Sequence, residues 1–236
     1  MVKGGRVRIS SKIKLLRIWI VKARWQHDRS PRILITGCGR SGTNYVAKLL
    51  NSTGLPFSHE GFPKKGLAAW PLAVKHDDEM PWMLFKQGDI TFTPILHQVR
   101  HPLAVIASTQ TFAKSSWNYI TKYIPLHDDD SLLLKCMKYW YYWNLEAEKI
   151  SEWTYRLESF PDLFPKFCER IGHPELIQKK DMIHKMRRDV NSRAGRAGKD
   201  SSLLPRKEVT WSRLDGEDKE LCGLIRLLAE KYGYTD

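Results

Sequence analysis

Short apolar runs alternate with amphipathic stretches along most of this chain of 236 residues. The segment Arg32 to Thr36 is such a run between Pro31 and Gly37, and it predicts a buried strand. From Gly42 to Gly54, apolar residues recur every three or four positions, which predicts a helix. The other segments predicted in this way are strands at 72–75, 95–99 and 155–157 and helices at 102–111, 131–155, 161–171 and 217–232.

Strands that alternate with helices are typical of a parallel sheet covered by helices on both faces. We therefore expect an α/β protein with three layers, α/β/α, and a mainly parallel central sheet. Hydrophobic residues make up 42% of the chain, which is enough for a full core. The sequence divides into a basic N-terminal extension at 1–30 and one α/β domain at 31–236.

The net charge of +13 is concentrated in two segments. Residues 1–25 contain eight basic residues and no acidic one, and residues 179–199 contain eight basic residues with Asp181 and Asp189. Charge this localised predicts one extended or two separate anionic partners. For residues 1–28 the alternatives are contact with an anionic membrane surface and packing of a helix on the domain itself. We expect no nucleic-acid partner.

Four cysteines, Cys38, Cys136, Cys168 and Cys222, lie far apart without the CxxC pairs that zinc sites use. This spacing favours a reduced protein without disulfides. No apolar run reaches the ~18–20 residues that cross a bilayer. We therefore expect a cytoplasmic protein, with peripheral membrane attachment through residues 1–28 as the alternative.

The most informative segment is Ile33 to Leu50, ILITGCGRSGTNYVAKLL, in which a strand, a glycine-rich turn and a helix start follow one another. A phosphate site needs this order, because glycines let the backbone fold around an anion and N–H groups at the helix start point towards it. Nucleoside triphosphatases have GxxxxGK[ST] here. Gly37 and Gly42 keep that glycine spacing, but Thr43 follows directly, so the lysine is missing and Arg40 is the only cation of the loop.

The missing lysine changes the chemistry that the loop can support. A Walker lysine and Mg²⁺ together neutralise the crowded β- and γ-phosphates of a triphosphate. A phosphosulfate carries a single negative charge on its reacting sulfuryl group, so one cation and main-chain amides can suffice without a metal. The alternative is a strand-to-helix turn with incidental glycines.

A second string, VRHPLAVIAS, places Arg100 and Ser108 eight positions apart across a strand-to-helix transition. From there both side chains could reach one phosphate from different sides. Together with RSGTN at 40–44, this string resembles the 3'-phosphoadenosine 5'-phosphosulfate-dependent sulfotransferases, which pair a [KR]-[ST]-G-[TS]-[TN] loop with a later R-x-P-x₄-S-like string. The arginine of the loop is similar to that of the Golgi-type, tyrosylprotein and many bacterial members.

The resemblance extends, weakly in places, from Ile33 to Tyr234. It implies a P-loop-like fold with about five parallel strands, and transfer of a sulfuryl group from this donor to a hydroxyl group by in-line displacement without metal. The acceptor would be a carbohydrate or another alcohol or phenol. The segment around Arg193 departs from the RKGxxGDW string of the cytosolic members, which leaves the adenine contacts undefined. The residues that the resemblance assigns to donor binding are Gly39, Arg40, Ser41, Gly42, Thr43, Asn44, Arg100, Ser108 and Arg193.

Transfer to a hydroxyl needs a base beside the acceptor oxygen. Glu60 lies twenty residues after Arg40, in a place similar to that of the base of the tyrosylprotein-type members. Lys75 and His76 follow a predicted strand, where the family often has a lysine facing the sulfuryl bridge and where cytosolic members have a histidine base nearby. We predict that Arg40 holds the sulfuryl and 5'-phosphate oxygens and that Lys75 stabilises the leaving group. Glu60 is the first candidate for the base, His76 the second and His59 the third.

Two other functions stay open from the sequence. One is a P-loop phosphotransferase or kinase, which the missing Walker lysine disfavours. The other is a non-enzymatic protein that binds anionic surfaces through its two basic segments.

Overall fold

The computed structural model describes residues 30–74, 90–185 and 208–235. Its central element is one sheet of five parallel strands, in the spatial order β2-β3-β1-β4-β5. Helices cover both faces, so the fold is the three-layer α/β/α arrangement that the sequence predicted. The strands are β1 (Arg32–Thr36), β2 (Phe57–His59), β3 (Gly66–Ala68), β4 (Phe92–Val99) and β5 (Trp153–Arg156).

Helices connect β1 to β2 and β4 to β5, and further helices follow β5 in the described chain. Short 3₁₀ turns at Trp70–Ala73 and Pro174–Lys179 complete the connections. No helix in the described ranges is long and apolar enough to cross a membrane. The helices are α1 (Thr43–Ser52), α2 (Pro102–Thr109), α3 (Lys114–Ile120), α4 (Leu132–Ile150), α5 (Phe160–Arg170), α6 (Lys180–Lys185), α7 (Trp211–Glu217) and α8 (Lys219–Lys231).

Both faces of β1 are buried, and its successive side chains enter two different hydrophobic cores. Leu34 belongs to the core that contains α4 and α8, whereas Ile33 and Ile35 belong to the core that contains α1 and α5. This alternation is the two-residue period of a strand. The strand β1 pairs with β3 on one side and with β4 on the other, so the strands that follow it in the sequence lie on both sides of it in the sheet. The crevice at the carboxyl end of such a strand is where open α/β sheets bind ligands.

Two of the predicted elements differ clearly from the structure. The predicted strand at 72–75 is wrong, because Trp70–Ala73 forms a 3₁₀ turn and the strands on this side of β1 are the three-residue β2 and β3. The predicted helix at 131–155 ends at Ile150, since Trp153–Arg156 pairs with β4 instead. The predicted C-terminal helix at 217–232 is confirmed as α8, and a separate short helix, α7, ends just before it at Glu217. The carboxylate of Asp218 caps α8 by accepting from the N–H of Leu221 at 2.9 Å.

Candidate phosphate-binding and catalytic site

The glycine-rich loop at 37–42 connects β1 to α1 at the carboxyl edge of the sheet. Two of its glycines are required by the local geometry. Gly37 has φ of 140°, and a Cβ there would lie 2.2 Å from the carbonyl oxygen of Gln98. Gly42 has φ of 95°, and a Cβ there would lie 2.5 Å from Leu157. Only glycine fits both the left-handed backbone and the close approach of the neighbouring strands.

The loop is held from three directions by hydrogen bonds. The hydroxyl of Tyr139, on α4, accepts from the main-chain N–H of Gly39 at 2.6 Å. Gln98 Nε2, on β4, donates to the carbonyl oxygen of Ser41 at 2.7 Å. Arg100, just after β4, donates through Nη1 to the carbonyl oxygen of Arg40 at 3.2 Å. The conformation of the loop is therefore fixed by residues 57 to 100 positions away in the sequence.

Fixing the loop carbonyls also directs the N–H groups. In a trans peptide the carbonyl of Ser41 and the N–H of Gly42 point in opposite directions, so the bond from Gln98 turns the Gly42 N–H to the other side. Within the described ranges, the main-chain N–H groups of Gly42, Thr43 and Asn44 have no hydrogen-bond acceptor. The hydroxyl of Ser41 is also fully buried and has no partner there. These donors, at the positive end of the helix α1, are suited to an anion.

Arg40 and Glu60 have an unusual backbone conformation in common. Among the described residues, they are the two non-glycine residues with positive φ, at 72° and 47°. Glu60 directly follows β2, and its carboxyl group lies within electrostatic range of the Arg40 guanidinium and accepts a hydrogen bond from the Trp70 side chain. Burial raises the pKa of Glu60, whereas Arg40 and the bond from Trp70 act in the opposite direction and reduce the shift.

His59, the third candidate for the base, lies between the loop and Glu60. Its Nε2 atom is 3.2 Å from the hydroxyl of Thr43 and 3.5 Å from Glu60 Oε1. Burial, helped by the charge of Lys48, lowers the pKa of His59 to about 4. The imidazole is therefore neutral at neutral pH, and it joins the first residue of α1 to Glu60 through one ring nitrogen.

The side chain of Arg40 is exposed, and its guanidinium carbon lies 5.1 Å from the centre of the Phe112 ring. Phe112 lies in the connection between α2 and α3 and stacks on Trp70 at 5.8 Å, with an angle of 26° between the rings. Trp117, half-buried, contacts the edge of Phe112 at 5.8 Å. An aromatic wall consisting of these three residues thus borders the cation of the loop.

Arg100 and Ser108 lie in the segment that follows β4, one just before the helix α2 and the other near its end. Arg100 follows β4 and contacts the loop, as described above, whereas Ser108 lies near the end of α2 and is 7% exposed. Six helical steps from Pro102 to Ser108 correspond to about 9 Å. The arginine side chain would have to extend along the helix for both residues to hold one phosphate. Three further predicted residues, Lys75, His76 and Arg193, lie outside the described residues, as does the segment 1–28.

Sequence reasoning missed two residues that shape the site. Gln98 and Tyr139 were predicted only as parts of a strand and of a helix that packs in the core. A glutamine inside a buried apolar run was a usable signal, because buried amides need partners. For Tyr139 no signal was available, since its spacing is that of an ordinary core residue.

The chain was compared with protein-family models, with curated proteins and with solved structures, and none of them matches it.

Proposed function

We propose that this protein is a sulfotransferase that moves the sulfuryl group of 3'-phosphoadenosine 5'-phosphosulfate to a hydroxyl group of an acceptor. The observation that carries the proposal is the pairing of Arg40 with Glu60. Both have left-handed backbone conformations, and the two side chains lie within electrostatic range of each other. Such conformations persist only where the surroundings hold them, and they cluster at functional sites. The pair supplies the cation and the base that sulfuryl transfer requires.

The proposed reaction is one in-line displacement at sulfur. Glu60 takes the proton of the acceptor hydroxyl as the acceptor oxygen attacks the sulfur atom. The bond between sulfur and the bridging oxygen of the 5'-phosphate breaks, and the products are a sulfate ester and adenosine 3',5'-bisphosphate. A raised pKa makes Glu60 a stronger base than an exposed carboxylate.

Arg40 and the loop amides would stabilise the negative charge during transfer. The N–H groups of Gly42, Thr43 and Asn44 are available for the 5'-phosphate and sulfuryl oxygens. The roles of Lys75 at the leaving group and of Arg193 on the nucleotide stay predictions from the sequence, as does His76 as an alternative base. The acceptor class, a carbohydrate or another alcohol or phenol, also rests on the resemblance.

The donor assignment is tested by thermal unfolding with adenosine 3',5'-bisphosphate or with ATP, each with and without Mg²⁺. A ligand at 100 times its dissociation constant stabilises a protein by about 2.7 kcal/mol. We expect the bisphosphate to raise the melting temperature clearly more than ATP does. The preference for the 3'-phosphate is the difference in stabilisation between adenosine 3',5'-bisphosphate and adenosine 5'-monophosphate, which lacks that group. Arg100→Ala should remove this difference.

Equal or greater stabilisation by ATP with Mg²⁺ would favour the P-loop phosphotransferase. Binding of neither nucleotide would leave a protein that uses its basic segments on anionic surfaces. Turnover of labelled donor with a set of hydroxylated acceptors then tests the reaction itself.

A further inference from the structure

Tyr139 lies in α4, fully buried, and its ring contacts four other aromatic rings of the described chain, those of Trp70, Phe112, Trp117 and Trp143. Its ring contacts those of Phe112 at 5.6 Å and Trp70 at 6.0 Å. Its hydroxyl accepts from the N–H of Gly39 at 2.6 Å. Burial raises the pKa of this phenol well above its ordinary value, so Tyr139 accepts this bond as a neutral group.

Gly39 is the residue immediately before Arg40, whose φ of 72° is unfavourable for a residue with a side chain. A conformation of this kind needs contacts that hold it from outside. One such contact is the bond from Gly39 to Tyr139, and the other is the bond from Arg100 to the Arg40 carbonyl oxygen. The backbone at Arg40 is thus fixed on both sides by partners distant in sequence.

The side chain of Arg40 is connected to the same tyrosine. Its guanidinium lies over Phe112, and that ring packs against Tyr139 at an angle of 67°. Tyr139 therefore contacts the main chain that precedes Arg40 as well as the ring beneath its guanidinium.

Packing alone does not account for the hydroxyl of Tyr139, because a phenylalanine would fill the same space. Tyr119 provides the comparison within the same cluster. It is 7% exposed, contacts Trp70 at 5.7 Å, and donates its hydroxyl to the carbonyl oxygen of Pro71 at 3.1 Å. Its hydrogen bond ties one part of the core to another, whereas that of Tyr139 holds the loop.

We propose that Tyr139 is a positioning residue, which holds Gly39 and Phe112 so that the guanidinium of Arg40 is directed at the bound donor. This inference rests on the proposed function. The Tyr139 hydroxyl acts through Arg40, so its contribution to ligand binding disappears when the guanidinium is absent.

The test is a double-mutant cycle on the affinity for adenosine 3',5'-bisphosphate, measured by calorimetry. Tyr139→Phe should weaken binding about tenfold, because a misdirected Arg40 guanidinium loses roughly one charge-assisted hydrogen bond to the ligand. In the Arg40→Ala background, Tyr139→Phe should cause no further loss. Tyr119→Phe is the matched control, because it removes a buried hydroxyl from the same cluster, and it should leave the affinity unchanged. An equal loss from Tyr139→Phe with and without Arg40, or an equal loss from both tyrosine variants, would overturn the inference.

A second measurement separates this inference from the proposed function. Amide hydrogen exchange at Gly39, followed by NMR without ligand, should be slow in the wild type and in Tyr119→Phe, and fast in Tyr139→Phe. Fast exchange in the wild type would contradict the role of Tyr139 irrespective of what the protein binds. Failure of the wild type to bind the bisphosphate, with Gly39 protected as expected, would overturn the proposed function and leave Tyr139 as the residue that holds the loop.

Discussion

Gln98 Nε2 donates to the carbonyl oxygen of Ser41 at 2.7 Å, while Gln98 Oε1 accepts from the hydroxyl of Tyr155 at 2.9 Å. The amide is thereby held at both ends between β5 and the loop. Its orientation decides on which side of the loop the Gly42 N–H lies, because the Ser41 carbonyl and this N–H are opposed. A core glutamine thus determines a property of the candidate anion site.

We expect Gln98→Leu to destabilise the protein by about 1–3 kcal/mol, because it leaves the Ser41 carbonyl and the Tyr155 hydroxyl unpaired. Binding of adenosine 3',5'-bisphosphate should weaken as well, since the Gly42 N–H is no longer directed. Tyr155→Phe is the control: it removes one bond of the network but leaves the bond to Ser41. Urea unfolding and calorimetry measure the two effects, and a Gln98→Leu protein with unchanged affinity would refute this role.

Glu60→Gln should lower turnover by about 10²–10⁴-fold, because it removes the proposed general base while keeping the size of the side chain. Donor binding should stay nearly intact. The raised pKa means that the folded state disfavours the charged form, so stability is lost as the pH rises through the pKa of Glu60. The variant should therefore melt higher than the wild type at pH 7 and equally at low pH. If His76→Ala proves the more damaging change, the base is His76.

Arg40 allows the charge and the backbone strain to be separated. Arg40→Ala and Arg40→Gly both remove the guanidinium. Each should raise the activation free energy of donor turnover by roughly 3 kcal/mol. Only glycine relieves the left-handed conformation at φ of 72°, so Arg40→Gly should be more stable than Arg40→Ala by about 1 kcal/mol. Equal stabilities would contradict the strain.

Arg40→Lys should keep part of the activity, because it keeps the charge but loses the bidentate contacts.

Since the charge at sulfur is single and the loop supplies a cation and amides, we also expect turnover to continue in excess chelator. The measurement is donor turnover with and without chelator for the wild type and for Arg40→Ala. Strict metal dependence, or full activity of Arg40→Ala, would mean that the loop serves a different reaction.

We expect the buried side chain of His97 to make the folded protein less stable at acidic pH. It is fully buried on β4, 3.0 Å from Asn144 through Nε2 and 3.2 Å from the Thr154 hydroxyl through Nδ1. Burial lowers its pKa from 6.5 to about 4, so the unfolded chain binds a proton that the folded chain does not. Stability should be lost as the pH falls from about 6.5 to about 4, by up to about 3 kcal/mol. Urea unfolding at several pH values in this range should show that the free energy of unfolding depends less on pH in His97→Gln than in the wild type. An unchanged pH dependence would mean that another group causes the acid sensitivity.

The last prediction, which comes from the sequence alone, is that the basic residues 1–28 bind anionic membranes. Bases near an anionic membrane surface contribute about 1 kcal/mol each. We expect the full chain to bind acidic vesicles in a salt-sensitive manner, and a chain without residues 1–28 to lose this binding while retaining its affinity for the donor product. Indifference of the full chain to such vesicles at low salt would favour packing on the domain.

The sequence determined the layers of the fold and the position of the loop. The run Ile33 to Ile35 is short, apolar and bounded by Pro31 and Gly37, as expected of a strand covered on both faces, so β1 and the parallel sheet were predictable. Gly37 and Gly42 with a helix start after them predicted the turn that the structure has. These features follow from local patterns, because a strand and a glycine turn are each encoded within a few residues.

Tertiary structure alone decided which residues complete the site. The strands β2 and β3 have three residues each, too few for a periodic pattern, and they were missed although β2 brings Glu60 within electrostatic range of Arg40. Tyr139 follows the spacing of a core helix, yet its hydroxyl holds a loop 100 positions earlier in the chain. Contacts of this kind depend on how the sheet and α4 pack against each other, and no local pattern in the sequence records that packing.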